Sequence, residues 1–145
     1  MTAWSLVRFV HVVGAVMWLG GQLTVSALVL PVARRRLDEA ARADLMRTLG
    51  RRLGIATVVA FVPLQVATGG LLAAHKGVTW ASLADPGYGR LLAGKLTAFV
   101  LVMLAAGLHG WANGAGRRAL ARALAVSSLL GSLVVVLLAT ALPVS

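Results

Sequence analysis

The sequence predicts an all-α integral membrane protein, a four-transmembrane-helix bundle with its N-terminus and C-terminus both extracytoplasmic. Three observations predict it. Of 145 residues 59% are apolar and only 12% are charged, too few charges to cover a water-facing surface. The apolar residues fall into four blocks, each long enough for the roughly 20-residue crossing that a bilayer core demands. The basic residues collect between the blocks in the alternation of the positive-inside rule. The formal charge of +10 therefore reads as topology, and no nucleic-acid partner is expected. With no cysteine in the chain, thiolate metal sites, iron–sulfur clusters, cysteine nucleophiles and disulfide scaffolds are excluded together.

The expected spans are residues 4–32, 53–74, 90–111 and 119–142 of a single membrane domain, residues 1–145. The first is about twice the length of a signal-peptide h-region and has no basic n-region before it, so it reads as a span. A basic cytoplasmic loop, residues 33–52, follows. It holds Arg34, Arg35, Arg36, Arg42, Arg47, Arg51 and Arg52 against Asp38, Glu39 and Asp44. This stretch has helical propensity and reads as a topology determinant or as a surface lying on anionic lipid. The second connection carries Lys76, Asp85 and Arg90, and the third Arg117, Arg118 and Arg122, which keeps the alternation consistent. Trp80, Tyr88 and Trp111 fit aromatic belts at the headgroup level. Pro63 should kink the second span.

Polar residues at 4-3-4 spacing mark the faces that look inward, since lipid-facing polar groups are costly. The first span offers Trp4, Arg8, His11, Ala15, Trp18 and Gln22. The second offers Phe61, Gln65, Thr68, Leu72 and His75. The third has Lys95, Phe99, Val102, Ala106, His109 and Asn113, and the fourth Ser128, Gly131, Ser132 and Val135.

Ionisable residues at membrane depth are the candidate site. His11 and Lys95 fall at similar depth from the outer ends of their spans, with Arg8 one turn above His11 and His75 at the outer end of the second span. His109 is two heptads beyond Lys95, about 21 Å deeper, so it cannot share one metal ion with His11. The four acids all lie in connections, and a buried ammonium needs a partner. A ligand could supply it: heme b propionates held by Arg8 and Lys95, with His11 as axial ligand, meet that need. Snorkelling of both cations to the headgroups is the alternative. Met17 and Met103 lie at comparable depth and are either soft ligands for a copper ion or gap-filling side chains. The metal-ligand candidates are thus His11, His75, His109, Met17 and Met103. No phosphate-cradling loop, Ser-His-Asp set or His-x-x-x-His pair occurs, so hydrolytic chemistry is not expected.

His11 followed by Trp18-Leu19-Gly20-Gly21, then Ala67-Thr68-Gly69-Gly70, then the run Tyr88 to Lys95 (Tyr-Gly-x-x-Leu-x-x-Lys), resembles the copper resistance protein D membrane domain. The resemblance covers the first three spans and implies a role in handling or transporting copper at the membrane. His11 and Lys95 also resemble, more distantly, positions of the heme-containing protoporphyrinogen oxidase of bacterial membranes, which implies heme binding. Together these readings lead to a multi-pass protein of the cell inner membrane. It would hold a transition-metal centre, copper ion or heme b, in its outer half, with oxidoreductase activity only if heme is bound. The partners compatible with this are the lipid bilayer, a second copy, or a membrane redox partner. A non-catalytic membrane partner, with polar seams serving only as helix glue, is the rival.

Overall fold

The computed structural model describes residues 2–142, and among these every regular element is helical. Four helices are long and apolar enough to cross a membrane: α1 (Ala3–Arg36), α2 (Glu39–His75), α3 (Tyr88–Gly114) and α4 (Arg118–Ala141). Residues up to Gly70 form one compact unit and those from Leu71 onward another. Large apolar side chains such as Phe9, Val58, Leu101 and Leu137 are exposed, while the buried positions other than Val102 are small or polar, among them Ala33, Ala112, Ala121, Ser128 and Ser132. That inversion is what lipid-facing helices require, because lipid offers no hydrophobic force between helices and close packing of small residues takes over.

The first unit is a hairpin of α1 and most of α2, turned by Leu37 and Asp38 alone. Thr2 caps α1 by accepting the Ser5 N–H. Proline shapes both helices in the same way. Pro31 lacks an N–H, and its ring would strike the carbonyl four residues back; the chain answers with a π-turn over Val25–Val29, closed by the Leu30 N–H on the Val25 carbonyl. Pro63 has the same companion, a π-turn over Thr57–Phe61 closed by the Val62 N–H on the Thr57 carbonyl. One extra residue in the turn moves the obstructing carbonyl aside and the helix continues.

Residues 33–52, expected as a basic connection with helical propensity, are helical apart from Leu37 and Asp38. Asp38 accepts the Ala41 N–H at 2.8 Å, and Glu39 places a negative charge on the first turn, so a capped helix starts as soon as α1 ends. With 34 and 37 residues, α1 and α2 run about 51 and 55 Å at 1.5 Å per residue. Each is about 20 Å longer than a hydrocarbon core, and the arginines cluster at the hairpin's turn.

The second unit opens with the connection to α3, which is tied down closely. Thr79 and Ser82 exchange N–H to hydroxyl bonds across a 3-10 turn, Ala81–Ala84. Gly89 is buried against that turn, and a Cβ there would run into the Ser82 carbonyl oxygen. Lys76 sits over the Tyr88 ring at 5.0 Å, and the Arg90 Nε–H donates to the Ala84 carbonyl. Tyr88, Gly89 and Arg90, the start of the most specific motif in the chain, therefore fasten this connection. Helices α3 and α4 form a regular hairpin through Gly116, whose φ of +72° suits the left-handed turn that ends a helix. Gly131 receives Val102, and Ser132 donates to the Ser128 carbonyl on the buried face of α4.

Candidate functional site

The α1–α2 seam is built from residues that step in mirror register. His11, Gly14 and Trp18 of α1 meet Thr68, Gln65 and Phe61 of α2, so spacings of three and four on one helix answer the same spacings on the other. This is the antiparallel form of an a/d seam. Trp18 and Phe61 stack at 4.8 Å with planes 11° apart. Above them Gln65, buried, donates its side-chain N–H to the His11 carbonyl at 2.8 Å. Gly14 makes this possible: a Cβ there would lie 2.5 Å from the Gln65 Nε2.

His11 is half-buried at the top of this seam, and its hydrogen bonds determine its tautomer. Nδ1 lies 2.7 Å from the Thr68 hydroxyl oxygen. That hydroxyl donates its single proton to the Leu64 carbonyl at 2.6 Å, so towards His11 it can only accept. Nδ1 therefore carries the proton, and in the neutral ring Nε2 carries the lone pair. Gly69 lies alongside, with room for a Cβ only 3.3 Å from the ring. Two consecutive residues of α2, Thr68 and Gly69, hold one imidazole in one orientation. The indole N–H of Trp18 is buried and makes no hydrogen bond among the described residues, which leaves a second polar group on the same face two turns from His11.

The remaining candidates are placed as follows. Arg8 is exposed one turn before His11. Met17, six residues after His11, is about two-thirds of a turn round the helix and 72% exposed, away from the seam. His75 is exposed at the last residue of α2. In the second unit Lys95 is half-buried two turns into α3, and its ammonium makes no hydrogen bond or ion pair among the described residues. Met103 is half-buried two turns beyond Lys95. His109, near the far end of α3, donates from Nδ1 to the Ala121 carbonyl at 2.8 Å, because a carbonyl can only accept. It too is held with Nε2 as the lone-pair nitrogen. Lys95 and His109 are 14 residues apart on one helix, about 21 Å, so they serve separate places. Among the described residues no three His, Asp or Glu side chains converge as a metal-binding group.

The polar faces expected on α1 and α2 contain the residues that meet here, and Gly14, one of the small residues from which close helix approach is expected, is the one that admits Gln65. Compared with known proteins, the chain matches no family model, no curated protein and no solved structure.

Proposed function

We propose that this chain is a multi-pass membrane protein that holds a transition-metal centre through Nε2 of His11, in the copper-handling role its motifs imply by resemblance. One observation carries the reading: Thr68, itself committed to the Leu64 carbonyl, accepts the His11 Nδ1 proton. An imidazole whose distal N–H is anchored to an oxygen is the usual form of a metal-ligating histidine, since the anchor sets the ring's direction and raises the basicity of the other nitrogen. In this reading the arginine-rich turn of the first hairpin faces the cytoplasm, both termini face outward, and the membrane is the cell inner membrane. Arg8, one turn before His11 on the same helix, supplies positive charge near the centre. In the second unit His109, whose Nε2 is oriented in the same manner, would be a separate copper contact.

A second reading, heme b, is favoured by a specific observation. His11 is the sole histidine among residues 1–70, and Met17 turns away from it, so the protein offers one well-oriented nitrogen. One axial imidazole is what heme iron requires of a protein, whereas a tight copper site asks for several converging donors. Arg8 would then pair with a propionate, and the bound heme would supply one-electron transfer. His11 would hold the iron, and Thr68 holds His11.

The test is the optical spectrum and metal content of freshly purified protein beside His11→Ala. A Soret band that vanishes in the variant establishes the heme reading. A colourless sample that keeps stoichiometric copper through chelation, and loses it in the variant, establishes copper handling. Neither signal in the wild type overturns the metal-centre reading and leaves the seams as helix glue in a non-catalytic membrane partner.

A further inference from the structure

We infer that the arginine-rich end of the first hairpin is a binding site for one anionic phospholipid, its acyl chain lying in a cleft between α1 and the start of α2 and its phosphate held by Arg36. The cleft has a volume of about 390 Å³ and is lined by Leu28, Val29, Val32, Ala33, Leu37 and Leu45, and by Arg36, which presents only apolar atoms to it. An apolar trough beside an arginine-rich turn matches the division of a phospholipid into hydrocarbon and phosphate. The guanidinium fork suits phosphate oxygens better than a point charge does.

Charge around the cleft selects the headgroup. Seven arginines lie between residues 34 and 52 against three acids, an excess of four positive charges. The net field at the mouth of the cleft is therefore positive, which favours anionic over zwitterionic lipid. The geometry arises from the fold. Because Asp38 starts α2 at once, the polar first turns of α2 run back beside the last apolar turns of α1, and Leu45 comes to face Leu28 and Val32 across the cleft. An unstructured loop over the same residues would have offered the arginines without the trough.

The experiment uses the full chain purified in detergent. It is titrated with phosphatidylglycerol and, separately, with phosphatidylcholine of the same acyl chains, and bound lipid is counted by native mass spectrometry. Phosphatidylglycerol should bind the wild type about fivefold or more tightly than phosphatidylcholine, the discrimination one arginine near a membrane surface supplies. Arg36→Gln should remove most of that preference and Arg36→Lys only part of it. Leu45→Ser should weaken both lipids alike. Arg122→Gln, an exposed arginine of α4, should change neither. Equal binding of the two lipids by the wild type overturns the proposal, as does an Arg36→Gln effect no larger than that of Arg122→Gln. The Arg36→Lys protein, which keeps the charge and the fold, separates a lost phosphate contact from a misfolded sample.

Discussion

The two hairpins solve one problem with different materials. The first, α1 with α2, carries a proline and a π-turn in each helix and closes its seam with long polar and aromatic side chains: His11 on Thr68, Gln65 on the His11 carbonyl, Trp18 on Phe61. The second, α3 with α4, has uninterrupted helices and closes with small residues, Gly131 under Val102 and Ser128 beside Ser132. Even its histidine is tied to a backbone carbonyl rather than to another side chain. Chemistry needs side chains in particular orientations, and scaffolding needs only close approach. The difference is that the first hairpin holds its histidine by another side chain, whereas the second holds its own by the backbone.

The largest way to break this contrast is to fill the gap that admits the polar seam. Gly14→Leu must displace Gln65, and overpacking of this kind costs about 1–3 kcal/mol; Gly131→Leu, which meets Val102 in the second hairpin, should cost a similar amount. Unfolding measured by steric trapping in bicelles should show both losses. Nitrogen NMR of labelled histidine should show the His11 tautomer disturbed by the first substitution alone. A disturbed His11 in Gly131→Leu would show that the hairpins are not separable in this sense.

A smaller effect sharpens the same comparison. Thr68→Val removes the acceptor for the His11 proton and should cost about 0.6 kcal/mol, at most about 1.7, as interhelical hydrogen bonds in membranes do. The nitrogen spectrum should change from one His11 tautomer to a mixture, while His109 keeps its single form. No substitution at Ala121 can do the equivalent to His109, since its acceptor belongs to the backbone. Unchanged His11 signals in Thr68→Val would show that Thr68 does not set the His11 tautomer.

The smallest effect is expected at the prolines. Pro63→Ala restores an N–H, lets the π-turn of Thr57–Phe61 tighten towards α geometry, and should change stability by about 1 kcal/mol or less. Because a π-turn inserts one residue, its loss rotates the rest of α2 by about 100° relative to Phe61 and the seam above it. Amide exchange should then show new protection at residue 63. Spin labels on either side should report the rotation.

Much of this was legible in the residues. Four apolar blocks, the 4-3-4 stripes and the basic connections are one-dimensional consequences of excluding polar groups from lipid, so the four long helices and the faces holding His11, Trp18, Gln65 and Thr68 followed from spacing alone. The helical course of residues 39–56 was half legible. Asp38 ahead of a run of helix formers is a cap signal, whereas the arginine count speaks only to topology. Pro31 and Pro63 each announce an irregularity without saying which, and each has the same π-turn before it.

What the chain could not express in one dimension is direction. Whether a histidine on a polar stripe donates or accepts depends on where its neighbour's proton goes, and Thr68 sends its own to Leu64. Whether an arginine-rich stretch is a loose loop or one wall of a cleft depends on the helix that lies back against it. Periodicity determines which face a residue occupies, because helix geometry is local. Only packing decides which atom meets which, because a hydrogen bond or a cleft needs two segments whose separation along the chain carries no record of their contact.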